Sequence, residues 1–126
     1  MRKTDKADPK NGKGVFVNQI CYGERERVYR AALKVYGREM QETVAIEEMS
    51  EVVKELCKLR RGVNNKGCLA EEIADATIML EQLRLIYDLN DEVCAFMDQK
   101  IRRLERNIRE VCNETGILIC GGDEDG

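Results

Sequence analysis

The sequence predicts an all-α protein, an antiparallel bundle of about four helices, on three observations. Apolar residues recur at three- and four-residue spacing in four successive segments. The single proline is Pro9, so nothing after it interrupts a helix. Alternation of strand type is absent, apart from a short strand expected at Ile117–Ile119. A chain of 126 residues is one domain. With two Phe and no Trp, its core is aliphatic.

Residues 1–20 are polar, hold Pro9, Asn11, Gly12 and Gly14, and are expected to form a flexible tail. Gly12-Lys13-Gly14 lacks the glycine spacing and the Lys-Ser/Thr pair of a phosphate loop, and reads as a turn. The folded domain is expected over residues 21–115. Its first helix runs from Glu24 to Tyr36, striped by Val28, Ala32 and Val35, with Tyr29, Leu33 and Tyr36 alongside. Gly37 ends it. The second helix runs from Arg38 to Leu59. Ala45, Ile46, Met49, Val52, Val53, Leu56 and Leu59 form its apolar arc, and Glu47, Ser50, Lys54 and Lys58 lie opposite. Glu48 borders the apolar arc and points to the helix interface. Gln41, seven residues earlier, shares its face.

Arg60 to Gly67 carries turn chemistry and positive charge. The third helix then runs from Leu69 to Tyr87. Thr77, Glu81 and Arg84 are its expected solvent strip. A second polar sector, Glu71, Glu72, Asp75 and Gln82, is threaded with Met79, Leu83 and Ile86 and is expected to be half buried. Beyond a turn at Asp88–Asp91, the fourth helix extends to Val111. Val93, Met97, Ile101, Leu104, Ile108 and Val111 stripe one face, and Lys100, Arg102, Arg103, Arg106 and Arg109 make the other basic. Residues 116–126 are expected to be a flexible C-terminal tail. Four helices from about 100 residues cover only part of their apolar faces, so a second subunit is expected to complete the bundle.

Several function classes are disfavoured. Charges of both signs are mixed and the net charge is −3, which gives no general support for nucleic-acid binding. No apolar run approaches the roughly 20 residues of a membrane span, and the charged N-terminus has no signal-peptide core. A cytoplasmic location is expected. The six cysteines form no Cys-x-x-Cys pair and there is no His, so structural zinc spacings are absent. The thiols read as reduced, acting as small hydrophobes in helical segments.

The distinctive chemistry lies in two acidic clusters, Glu47-Glu48-Met49-Ser50-Glu51 and Glu71-Glu72-Ile73-Ala74-Asp75. Glu48/Glu51 and Glu72/Asp75 are each three residues apart, a rotation of about 300°, so each pair shares a helix face. If the two helices pack antiparallel, the pairs meet and repel. Buried carboxylates need partners, and an all-oxygen set suits Mg²⁺, with Mn²⁺ able to substitute.

In its acids and the text around them, the chain resembles the MazG-like group of the all-α nucleoside triphosphate pyrophosphohydrolase superfamily. The Glu-Glu-x-x-Glu helix and the following Glu-x-x-Asp are met by Glu47, Glu48, Glu51, Glu72 and Asp75. Similar flanking text includes Tyr36-Gly37, Gln41, Arg60-Arg61-Gly62, Ile78 to Leu83, Lys100 and Arg103-Leu104. The resemblance covers about residues 24–113. It implies hydrolysis of ribo- or deoxynucleoside triphosphates to monophosphate and pyrophosphate, by a homodimer or homotetramer. It further implies Mg²⁺ held by Glu48, Glu51, Glu72 and Asp75. Glu47 is the candidate catalytic base. Gln41, Lys54, Lys58, Lys100 and Arg103 are the candidate substrate and phosphate ligands. Two rival readings are a non-catalytic helical oligomerisation module and a phosphoribosyl-ATP pyrophosphohydrolase-like activity.

Overall fold

The computed structural model describes residues 22–117. The expected tail over residues 1–20, the expected strand beyond Ile117 and the acidic terminal segment lie outside them. Among the described residues the protein is all-helical: α1 (Tyr22–Tyr36), α2 (Arg38–Arg60), α3 (Lys66–Ile86) and α4 (Asn90–Thr115). The connections are short because each break is local. Gly37 at φ 83° and Gly62 at φ 89° take the left-handed conformation that glycine adopts without steric penalty. Asp88, also at positive φ, turns the chain from α3 into α4.

The framework is the antiparallel α2–α3 hairpin. Its register is marked by pairs along the seam. Tyr87 donates its hydroxyl hydrogen to Glu42 at one end. Glu48 meets Glu72 and Asp75 in the middle. Asn65 Nδ2 donates to Glu55 Oε2 at 2.6 Å and to the Glu55 carbonyl at 2.8 Å at the other end. α1 packs on both α2 and α3, whereas α4 touches α3 alone. Arg84 clamps that junction, donating from Nη2 to Asn90 Oδ1 at 2.7 Å and Cys94 Sγ at 3.0 Å.

The inward faces differ from those the apolar pattern predicts. On α2, Gln41, Ala45 and Glu55 are buried, and Glu48, Val52 and Leu59 are half buried. Ile46, Met49, Val53 and Leu56, members of the expected core arc, are exposed. On α1, Tyr29 faces inward, while Val28, Val35 and Tyr36 lie open. The expected solvent strip of α3 is likewise corrected. Thr77 is exposed, but Glu81 accepts a hydrogen bond from Tyr29 and an ion pair from Arg25, and Arg84 packs at the α4 junction. α4 buries none of its residues, leaving Met97, Ile101, Leu104, Ile108 and Val111 exposed. Thus the intrachain seam is rich in polar groups, and the apolar arcs of three helices face away from it.

Cys57, Cys68, Cys94 and Cys112 are free thiols, and the first three are exposed rather than packed as core hydrophobes. No helix among the described residues is long and apolar enough to cross a membrane.

Candidate metal centre

A helical hairpin with residues at i and i+3 on each arm can bring four side chains to one level. Here α2 contributes Glu48, and α3 contributes Glu72 and Asp75. One carboxylate oxygen from each lies within 4.8 Å of the other two, and all three residues are half buried. Glu51, one turn beyond Glu48, lies outside that group, and its Oε2 pairs with Lys54 Nζ at 2.9 Å.

The electrostatics follow from the crowding. The Glu72 carboxyl is pushed above the usual carboxylate range, first by its burial and then by the negative charges of Glu51, Glu48, Asp75 and Glu71. Among the described residues no Lys or Arg forms an ion pair with Glu48, Glu72 or Asp75. Lys54 stands at the margin. Its ammonium is favoured above the ordinary lysine value by the hydrogen bond and charge of Glu51, with smaller help from Glu55 and Glu72.

This donor set fits a small hard cation. Oxygen ligands on opposite sides of Mg²⁺ are about 4.2 Å apart at bond lengths of roughly 2.1 Å. Three oxygens sharing one ion sit closer still, about 3.0–4.2 Å apart, so the three carboxylates, within 4.8 Å of one another, must draw inward to hold it. Glu51 can join if Lys54 swings to another partner.

The remaining sequence candidates are distributed unevenly. Glu47 is exposed, one position round from Glu48. Gln41 is buried two turns before Glu48 on the same side of α2. Lys58 is engaged with Glu55 Oε1 at 2.7 Å. Lys100 and Arg103 are exposed on α4, which has no contact with α2 in one chain.

Two polar groups were not singled out by the sequence as a network. Glu55 is buried, and the Lys58 and Asn65 hydrogen bonds hold its carboxyl below the usual range. The signal was present in the seven-residue recurrence Gln41, Glu48, Glu55, which marks one seam of α2. Its partner Asn65 is a loop residue whose role depends on how the hairpin closes. The second group is the Tyr29–Glu81–Arg25 contact between α1 and α3, separated by about fifty positions and invisible to local pattern.

Compared with known proteins, the chain matches no family model, no curated protein and no solved structure.

Proposed function

We propose that this protein is a Mg²⁺-dependent nucleoside triphosphate pyrophosphohydrolase, which hydrolyses its substrate to a nucleoside monophosphate and pyrophosphate. The observation that carries the reading is the convergence of Glu48, Glu72 and Asp75 across the α2–α3 seam without an ion-pairing cation. The order of acids that resembles the MazG-like group adds to it. In this reading Glu48, Glu72 and Asp75 hold the ion, with Glu51 as a fourth ligand, and Mn²⁺ can substitute. When bound, Mg²⁺ supplies positive charge against the phosphoryl oxygens and makes water more acidic.

The chain's own groups do the rest. Glu47 accepts the proton lost by the attacking water. The water oxygen bonds to phosphorus, and the α–β anhydride bond breaks. Lys54 and Lys58 offset charge growing on the departing oxygens. Gln41 positions the substrate from the adjacent turns of α2. Lys100 and Arg103 act from the α4 of a second copy, since one chain does not bring α4 to α2. The assembly is a homodimer or homotetramer, supported by the exposed apolar arcs of α1, α2 and α4.

The test is pyrophosphate release from a panel of ribo- and deoxynucleoside triphosphates, with Mg²⁺ and with EDTA. Metal-dependent release that is lost in Asp75→Ala and Glu48→Ala, with helicity kept, is the expected result. No release from any triphosphate by folded protein with Mg²⁺, or unchanged turnover in both variants, overturns it.

The exposed stripe of α4 favours one other reading, a helical assembly module without catalysis. In that case Mg²⁺ and EDTA leave stability unchanged.

A further inference from the structure

Two exposed helix faces of this chain carry the same pattern. On α2, Ile46, Met49, Val53 and Leu56 follow one another at steps of three, four and three residues, each 38–64% exposed. On α4, Met97, Ile101, Leu104, Ile108 and Val111 follow at steps of four, three, four and three, each 43–60% exposed. A mean step of 3.5 residues keeps such a row against a neighbouring helix that crosses at about 20°, each side chain entering a gap between those opposite. At a rise of about 1.5 Å per residue, the rows are roughly 15 Å and 21 Å long.

Neither row is covered within one chain. The row on α2 lies about 120° round the helix from Glu48, which faces α3. Its flanks, Thr43, Ser50 and Cys57 on one side and Ala45, Val52 and Leu59 on the other, are uncharged. An open apolar face with no charge beside it marks a surface that meets another protein. The ties of α4 to α3 lie in its first turns. Arg84 holds Asn90 and Cys94, while Val93 and Met97 face Leu80 and Leu83 across an apolar groove of about 520 Å³. Beyond Met97 the row runs on in the open, and α4 buries none of its residues.

One chain cannot join its two rows, because α4 has no contact with α2. A second copy can. With α2 of each along α4 of the other, both rows are covered in a single closed pair about a two-fold axis. Pairing α4 with α4, or α2 with α2, covers one row and leaves the other in water. An unlike partner would have to supply two rows of the same step, which this chain already carries.

We propose that this protein forms a two-fold dimer by reciprocal pairing of these rows, α2 of each copy lying along α4 of the other. The pairing goes beyond the pyrophosphohydrolase reading, since it needs neither metal nor turnover and names the faces that meet. It also brings α4 of a second copy to α2, the contact that the roles given to Lys100 and Arg103 require.

The test uses the full chain and two variants, Val53→Lys on α2 and Leu104→Asp on α4. Val53 is 62% and Leu104 57% exposed in one chain, so neither change disturbs its own packing, and circular dichroism verifies helicity. Sedimentation equilibrium at micromolar protein should give wild type twice the mass of one chain. Each variant alone should associate at least about a hundredfold more weakly, because both contacts of its dimer then bury an unpaired charge. The two variants are then mixed. In a mixed pair both changes fall in one contact, with opposite charges, and the other contact is wild type on both helices. The mixture should therefore regain the dimer mass, and differently tagged chains should co-purify. Pairing of like helices gives no such rescue, since one of the two variants would dimerise unaided. A monomeric or open-ended wild type, a variant that alone keeps the wild-type mass, or a mixture that stays monomeric overturns the proposal. The readout is mass, so it decides the pairing even if no triphosphate is hydrolysed.

Discussion

Replacing Gln82 with leucine should make the ligand-free protein more stable, although it removes a buried hydrogen-bonding group. The side chain lies in the α1–α3 packing at 6% exposure, against Met79 and the apolar cavity wall. Its Oε1 has no donor, and its Nε2 has only a thioether sulfur at 3.5 Å. A buried acceptor left unsatisfied costs about 1–3 kcal/mol. Leucine removes that penalty, adds apolar contact, and is close enough in size to leave little void. Some loss of fit reduces the gain, so the expected net stabilisation is about 1–2 kcal/mol. For a domain of this size that raises Tm by roughly 4–16 °C, at about 4–8 °C per kcal/mol. The assay is urea and thermal unfolding of both proteins at equal concentration in EDTA, with the same urea m value required of both. A Gln82→Leu protein less stable than wild type by about 1 kcal/mol or more refutes the reasoning. It would mean that the amide is fully satisfied in solution.

Other outcomes follow from the same seam. Mg²⁺ at about 100 times its Kd should stabilise wild type by roughly 2.7 kcal/mol. Differential scanning calorimetry should find that shift missing in Asp75→Ala. Glu72 bears a carboxyl raised by burial and by its acidic neighbours, so its ionised form is disfavoured in the folded state. Its favourable contribution is complete below the unfolded value near 4.5 and is lost as pH rises through the folded one. Glu72→Gln should therefore raise Tm at pH 7 in EDTA and change it little well below pH 4.5. Glu55 has the opposite sign. The Lys58 and Asn65 hydrogen bonds lower its carboxyl, so its contribution is present above 4.5 and is lost as pH falls through the folded value. Glu55→Gln should lose stability at pH 7 and show a shallower decline on acidification by circular dichroism. Leu104→Asp, on the exposed stripe of α4, should lower the molar mass found by sedimentation while leaving helicity unchanged. An unaltered mass would place the interface elsewhere.

What the sequence determined by itself was local. Helix periodicity, the single proline and the glycines at positions 37 and 62 set four helices and their breaks, because hydrogen bonding within a helix and backbone sterics act over a few residues. The pairing of Glu48 with Glu51, and of Glu72 with Asp75, was legible for the same reason. So was most of the polar sector of α3: Glu72 and Asp75 are half buried and Gln82 is buried, whereas Glu71, expected with them, is exposed. The tertiary structure alone decided which faces meet. Of the expected apolar arc of α2, Ala45, Val52 and Leu59 turn inward as the pattern implied, while Ile46, Met49, Val53 and Leu56 stay exposed and the polar Gln41, Glu48 and Glu55 take inward positions. An apolar arc states that something must cover it and does not say which surface will, since hydrophobic attraction is non-directional. The rotation and register of one helix against another also separate Glu51, held by Lys54, from the three acids that converge. They join Asn65 to Glu55 and Tyr29 to Glu81, and they leave Gln82 Oε1 buried without a donor. These are relations between residues far apart in the chain, fixed only when whole helix surfaces find the packing that satisfies them together.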